Sequence, residues 1–220
     1  MKFVAFGDVH GEELFLDLLQ NYLSTNTVDA VFLLGDLVNG GGLSFVRELI
    51  DNLVERTSVF GIVGNVDPKP VRDMLKDRGI SVDKRLAEYR GLRITGLDGT
   101  LKTPYTMFNE LTESEIYETL KNIGIDERTI ILTHGPPYGL FDLTYSGKHV
   151  GSKSLLKIIK EYHPLLSLSG HVHEQYGWKT VNGTTVVNVI PGNAFNITEI
   201  IVSDNNGRYH VRDVKFVSLK

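Results

Sequence analysis

The 220-residue chain contains no cysteine. Disulfide frameworks, thiolate metal sites and cysteine nucleophiles are therefore excluded. It has no excess of positive charge either: 23 Lys and Arg stand against 27 Asp and Glu, a net charge of -4. A protein that follows nucleic-acid backbone by general electrostatics is disfavoured by that balance. No run approaches the roughly 18 apolar residues of a membrane helix. The apolar start, Met1 to Gly7, is cut short by Asp8 and His10. It lacks the basic start and the length of a secretory signal, so the expectation is a cytoplasmic protein that engages no membrane. Internal repeats, low-complexity tracts and linkers are also missing, which points to a single domain over residues 1–220. Glutamine is scarce (only Gln20 and Gln175), a compositional lean toward a thermophilic source.

What is present is an ordinary globular balance, 41% hydrophobic and 23% charged. The N-terminal part alternates strand and helix. Lys2–Phe6, Asp29–Leu34 and Ser58–Val63 are short apolar runs of buried-strand type, and Glu12–Leu23 and Leu43–Val54 carry helical spacing between them. Such a βαβαβ start implies a parallel sheet. Pro68 and Pro70 break the chain before a short helix over Val71–Arg78. Glu88–Thr95 reads as one strand followed by a loop through Gly96–Thr100. Thr112 and Glu115 form a capping box before a helix to Ile123. Thr129–Thr133 and Leu165–Ser169 are further buried strands, separated by a helix over Ser152–Tyr162. Asn182-Gly183 and Asn205-Asn206-Gly207 mark two C-terminal hairpins.

Five of these strands end in small polar clusters: Asp8-Val9-His10, Gly35-Asp36, Gly64-Asn65, His134-Gly135 and Gly170-His171-Val172-His173. In an open α/β sheet the carboxyl ends of strands line the ligand crevice, so clusters far apart in sequence should converge. Any one cluster alone reads as a turn or a helix cap; five in series do not. Two carboxylates, four imidazoles and one amide are too many ligands for one ion and suit two. Mixed nitrogen and oxygen donors favour Mn²⁺, Fe, Zn²⁺ or Ni²⁺ over Mg²⁺ or Ca²⁺.

This series resembles the calcineurin-like metallophosphoesterase superfamily. Thr133–Gly139, Gly151–Leu156 and Gly170–Glu174 are similar, more narrowly, to its archaeal and bacterial members and to the metallophosphoesterase-domain-containing branch of animals. The resemblance implies an α/β fold, a four-layer α/β/β/α sandwich, whose second sheet the two C-terminal hairpins would join. It implies a pair of divalent transition-metal ions, Mn²⁺ favoured, at the sheet edge. Asp8, His10 and His173 would hold the first ion, Asn65, His134 and His171 the second, and Asp36 would bridge them. Asp36 and Asn65 would thereby also be catalytic, with a metal-bridging hydroxide attacking phosphorus in line.

One position departs from the family pattern. Where the family reads Gly-Asn-His-Asp/Glu, this chain has Gly64-Asn65-Val66-Asp67. Val66 cannot protonate a leaving group, and Asp67 is left to hold the loop. Phosphodiesters and activated esters are therefore expected as substrates ahead of monoesters. His149, in a loop before the helix at Ser152, is the candidate replacement acid, and that helix N-terminus could also favour an anion. Glu174 and Asn39 are candidates for orienting the ligands, and Trp178 for packing in the core or on its hairpin. A binding scaffold built on the same fold is the alternative, but it would be marked by lost ligands. A recombination-type nuclease would carry an added domain and basic surfaces. Cyclic nucleotides, other nucleotide diesters and phospholipid-derived diesters all stay open as small-molecule substrates, as does the oligomeric state.

Overall fold

The computed structural model describes residues 1–39, 42–102 and 107–220. Strands β1 (Lys2–Phe6), β2 (Ala30–Leu34) and β3 (Ser58–Ile62) alternate with helices α1 (Glu13–Thr25), α2 (Leu43–Val54) and α3 (Lys69–Asp77). The three strands pair in parallel, as the βαβαβ pattern requires. Side chains on a strand alternate between its faces, so each of these apolar strands feeds two cores. Val4 and Phe6 of β1 and Val31 and Leu33 of β2 meet Phe15 and Leu19 of α1 and Leu49 of α2. Phe3 and Ala5 of β1 and Phe32 and Leu34 of β2 point the other way, into a core shared with a second sheet.

That second sheet contains β4 (Leu86–Tyr89), β5 (Leu92–Leu97), β8 (Thr129–Thr133), β9 (Leu166–Ser169), β10 (Gly177–Val181) and β11 (Thr184–Asn188), in the order β10-β11-β9-β8-β5-β4. Short strands β6 (Thr100–Leu101) and β7 (Glu110–Leu111) pair separately. Ile94, Ile130, Leu132 and Leu168 face the first sheet. Leu97, Ile131 and Val186 face helices α4 (Glu113–Ile123) and α5 (Lys153–Tyr162) through Ile116, Leu120, Leu155 and Ile158. Three apolar layers thus separate four secondary-structure layers, the α/β/β/α sandwich. No helix among the described residues is long and apolar enough to cross a membrane.

The structure corrects four expectations. Residues 88–95 are not one strand: Arg90 and Gly91, with φ of 49° and 81°, turn β4 back onto β5 as a tight hairpin. β5 runs on through Gly96 and Leu97 into the expected loop. Helix α3 starts two residues early, because a proline in the first turn gives up only an N–H that has no helical partner there. Trp178, expected in the core or on its hairpin, takes the hairpin, half-exposed on β10 opposite Val187. Only the first C-terminal hairpin joins the second sheet. The other, β12 (Asn196–Asn205) and β13 (Arg208–Ser218), returns to the first sheet, with β12 antiparallel to β1. Ile197 of β12 reaches the helix-side core while Ile200 and Val202 reach the inter-sheet core, so this strand needs apolar cover on both faces. A salt bridge from Lys2 to Glu199 (2.8 Å) and the N-terminal amine on Val202 O (2.7 Å) fasten the pairing.

A candidate binuclear metal centre

The parallel strands of both sheets end on one edge, and the turns that follow them are laced together. Asp8 N donates to Gly35 O (2.9 Å), His10 N to Asp36 O (3.0 Å) and Gly170 N to His134 O (2.9 Å). Asp8, His10, Asp36 and His171 all take positive φ, between 52° and 67°, a region non-glycine residues seldom occupy. Left-handed residues at these places double the chain back, so that side chains one to four residues past each strand turn to the same spot. Glycines make the close approach possible. A Cβ on Gly64 would lie 2.0 Å from Asp36 Oδ1, and one on Gly170 would lie 2.4 Å from Asp8 Oδ2.

Two groups of ligand atoms result. Asp8, His10 and His173 offer donors within 4.8 Å of one another, and Asp36, His134 and His171 do the same. The groups touch: His134 Nε2 lies 3.2 Å from Asp36 Oδ2 and 3.9 Å from Asp8 Oδ1. His134 Nδ1 is spent on Leu34 O at 2.7 Å, which turns Nε2 to the site as the free nitrogen. Asp8 uses both oxygens, Oδ1 at 3.0 Å from His173 Nε2 and Oδ2 accepting from His171 N at 3.0 Å.

Charge is tightly held here. Burial works against the ionised forms, yet Asp36, its hydrogen bond and Asp8 carry the His134 imidazole up to about 10. Burial likewise opposes the Asp36 carboxylate, which the charge of His134 and its hydrogen bond hold down at about 2. Burial and the charge of His134 push His171 down to about 4, leaving it neutral and ready to ligate at ordinary pH.

The donor set fits cations. His10 Nδ1 and Asn65 Oδ1 are buried atoms with no hydrogen-bond partner among the described residues, and His134 Nε2 faces the Asp36 and Asp8 carboxylates. Burying a polar atom unpartnered is costly. These atoms beside two carboxylates form a nitrogen and oxygen pocket of the kind divalent transition metals occupy.

Asn65 itself is buried on the turn after β3, and that turn is heavily braced. Asp67 accepts from Leu37 N (2.9 Å), Val38 N (3.1 Å) and Gly64 N (2.9 Å), tying it to the turn after β2. Burial and the Asp36 charge raise Asp67 to about 6 against those backbone donors. Val66 N donates to Asp36 Oδ1 at 3.1 Å, so residue 66 orients Asp36 through its backbone. Asn109 Nδ2 donates to Gly64 O (2.7 Å) and Asp67 O (2.9 Å), and is itself held by Arg72, which also pairs with Asp98. No short motif in the sequence announces this Arg72, Asp98 and Asn109 brace.

The remaining candidates land elsewhere. His149 joins neither ligand group. It lies on the wall of a cavity of about 410 Å³ that also reaches His171, with its Nδ1 2.7 Å from buried Asp142. The N-terminus of α5 is not open to an anion, because Glu113 of α4 occupies it, accepting from Ser152 Oγ (2.7 Å), Lys153 N (2.8 Å) and Ser154 N (2.9 Å). Glu174 accepts from Tyr145 N and braces a loop, and exposed Asn39 makes no hydrogen bond among the described residues. Neither one orients a ligand.

Residues 1–175 match the family model for calcineurin-like phosphoesterases. This chain belongs to that family. Calcineurin-like phosphoesterases are metal-dependent hydrolases, and the two ligand groups are the feature that chemistry needs. The chain is 30% identical over 218 residues to the uncharacterized protein MJ1162 of Methanocaldococcus jannaschii, covering 94% of this chain and 98% of that one. It is 39% identical over 67 residues to human metallophosphoesterase domain-containing protein 1, a match spanning 30% of this chain and 20% of the human protein. An archaeal phosphodiesterase shares the fold at a TM-score of 0.58, with 16% identity and 99% of each chain covered.

Proposed function

We propose that this calcineurin-like phosphoesterase is a cytoplasmic phosphodiesterase acting on small molecules, with two divalent transition-metal ions, Mn²⁺ before Fe, Zn²⁺ or Ni²⁺. Asp8, His10 and His173 would hold one ion and Asn65, His134 and His171 the other, with the Asp36 carboxylate shared between them. Such a pair, when bound, polarises the phosphoryl oxygens and acidifies the attacking water. The observation that carries this reading is the convergence of two ligand groups, Asp8, His10 and His173 beside Asp36, His134 and His171, with His10 Nδ1 and Asn65 Oδ1 buried and unpartnered among the described residues. No expected ligand is missing, which sets the scaffold reading aside.

The chain's own residues then divide the work. The Leu34 carbonyl fixes His134, the Val66 amide fixes Asp36, and Asp67 holds the two turns at their spacing. Val66 offers no proton to a leaving group. His149 is the proton donor that remains, with Nδ1 tied to Asp142 and Nε2 free. A diester presents a single negative charge where a monoester dianion presents two, so a centre with fewer proton-bearing groups beside the phosphoryl oxygens favours diesters over monoesters.

Chelator-stripped protein titrated with Mn²⁺ against bis(p-nitrophenyl) phosphate tests the reading. Activity should rise with Mn²⁺ and vanish in Asp36→Asn. Silence with Mn²⁺, Fe²⁺, Zn²⁺ and Ni²⁺ alike would end it.

A further inference from the structure

The cavity of about 410 Å³ beside the second ligand group has no part in holding metals, yet His171 and Gly135 open onto it. Its size is in the range that takes a small organic group. Its floor is aliphatic: Leu97, Leu111, Ile116 and Leu155, all from the core between the second sheet and α4 and α5. The hydroxyls of its threonines and serine are already engaged. Thr100 Oγ1 donates to Leu101 O (3.2 Å), Thr133 Oγ1 donates to Gly135 O (2.9 Å), and Ser152 Oγ donates to Glu113. Away from Tyr138 and His149, that wall has little left to read the edge of a nucleobase. Two cations stand at the rim, Lys102 and Lys153, and neither forms an ion pair among the described residues. The Lys153 ammonium lies 5.1 Å from the ring centre of Tyr138, which in turn stacks on His149 at 5.2 Å.

We infer that this cavity receives an apolar ester arm of the substrate, so that the molecule cleaved is a phosphoester of a hydrophobic alcohol rather than a nucleotide. The inference rests on the phosphoesterase reading of the adjoining centre. A phosphoryl group at His171 places one substituent at the cavity mouth, where the lysines offset the charge of the anion and the aliphatic floor takes the arm. Alkyl chains and aryl rings share this chemistry.

The test uses phosphonates, which bind without being cleaved. Methyl-, butyl-, hexyl- and phenylphosphonate are titrated into Mn²⁺-loaded protein by calorimetry and also tested as inhibitors of bis(p-nitrophenyl) phosphate hydrolysis. Affinity should rise up to about fourfold per added methylene as each leaves water. Hexyl against phenyl then decides between chain and ring. Val150→Asp alters a cavity residue that is 38% exposed, and so risks little in folding. It should abolish the gain with chain length while leaving methylphosphonate binding within twofold; Leu101→Asp serves as the second variant. Affinities flat from methyl to hexyl, or adenosine 5′-monophosphate binding more tightly than hexylphosphonate, would overturn the inference. A chain-length dependence in calorimetry without any hydrolysis would sustain the cavity's role while the phosphodiesterase reading fell.

Discussion

Single side chains decide how far this centre can drive a reaction. General acid catalysis is worth ~10²–10⁴-fold, and its usual donor is replaced here by Val66. Val66→His should therefore raise kcat on esters of basic alcohols by tenfold or more and change p-nitrophenyl esters little; a series of leaving groups of increasing pKa reads the slope. An unchanged slope would mean that residue 66 is not the acid position. His149→Ala should do the opposite, steepening that slope. Asp142→Asn should lower kcat more than it changes KM, because the amide keeps an oxygen for Gly151 N while the charged partner of His149 Nδ1 is lost. At this scale the sequence was most legible where residue type and place in the chain coincide: Asp8, His10, Asp36, Asn65, His134, His171 and His173 all follow buried strands. Asp142 was not legible, since nothing about an aspartate in a loop marks it as the partner of a histidine seven residues on. The Asn109 brace was hidden for the same reason.

At the scale of elements, one contact between helices has a measurable pH signature. Glu113 sits in the first turn of α4 yet satisfies the free N–H groups of α5. Burial opposes its charge, but the hydrogen bonds from Ser152 and the α5 backbone hold its carboxyl below the ordinary 4.5. A lowered carboxyl stabilises the fold above its unfolded-state value and loses that contribution as pH falls through the folded one. Glu113→Gln should cost about 1 kcal/mol at pH 7, a drop in Tm of about 2–4 °C for a chain of this size. The difference should shrink below the ordinary carboxyl range. Thermal melts at pH 7 and pH 3.5 compare the two, and an equal gap at both would refute the role of the charge. Periodicity and caps located the helices to within two residues. They failed at β4 and β5, where the turn is an Arg-Gly pair rather than Asn-Gly; at β12 and β13 the hairpin was legible but its sheet was not. A hairpin's local pattern says that two strands pair; only burial on both faces reveals which sheet will cover them.

Across the whole molecule, the proposed ligands come from two sheets. Asp8, His10, Asp36 and Asn65 follow strands of the first sheet, and His134, His171 and His173 follow strands of the second. Bound ions would clamp the sheets, so stability should follow metal by mass action. At a free concentration one hundred times Kd the gain is about 2.7 kcal/mol. Chelation should then lower Tm by roughly 5–10 °C, and in Asp36→Asn most of that metal-dependent shift should disappear. Equal melting curves with and without Mn²⁺ would deny the clamp.

The return of β12 to the side of β1 has a consequence for the order in which the protein comes to life. The proposed ligands have all been synthesised once His173 is made. Even so, β1 still lacks its second neighbour, and the turn carrying Asp8 lacks the amides of Gly192 and Asn193 that bind Gly7 O and Asp8 O at 2.8 and 3.0 Å. A segment C-terminal to every proposed ligand therefore buttresses the turn that carries Asp8 while contributing no ligand of its own.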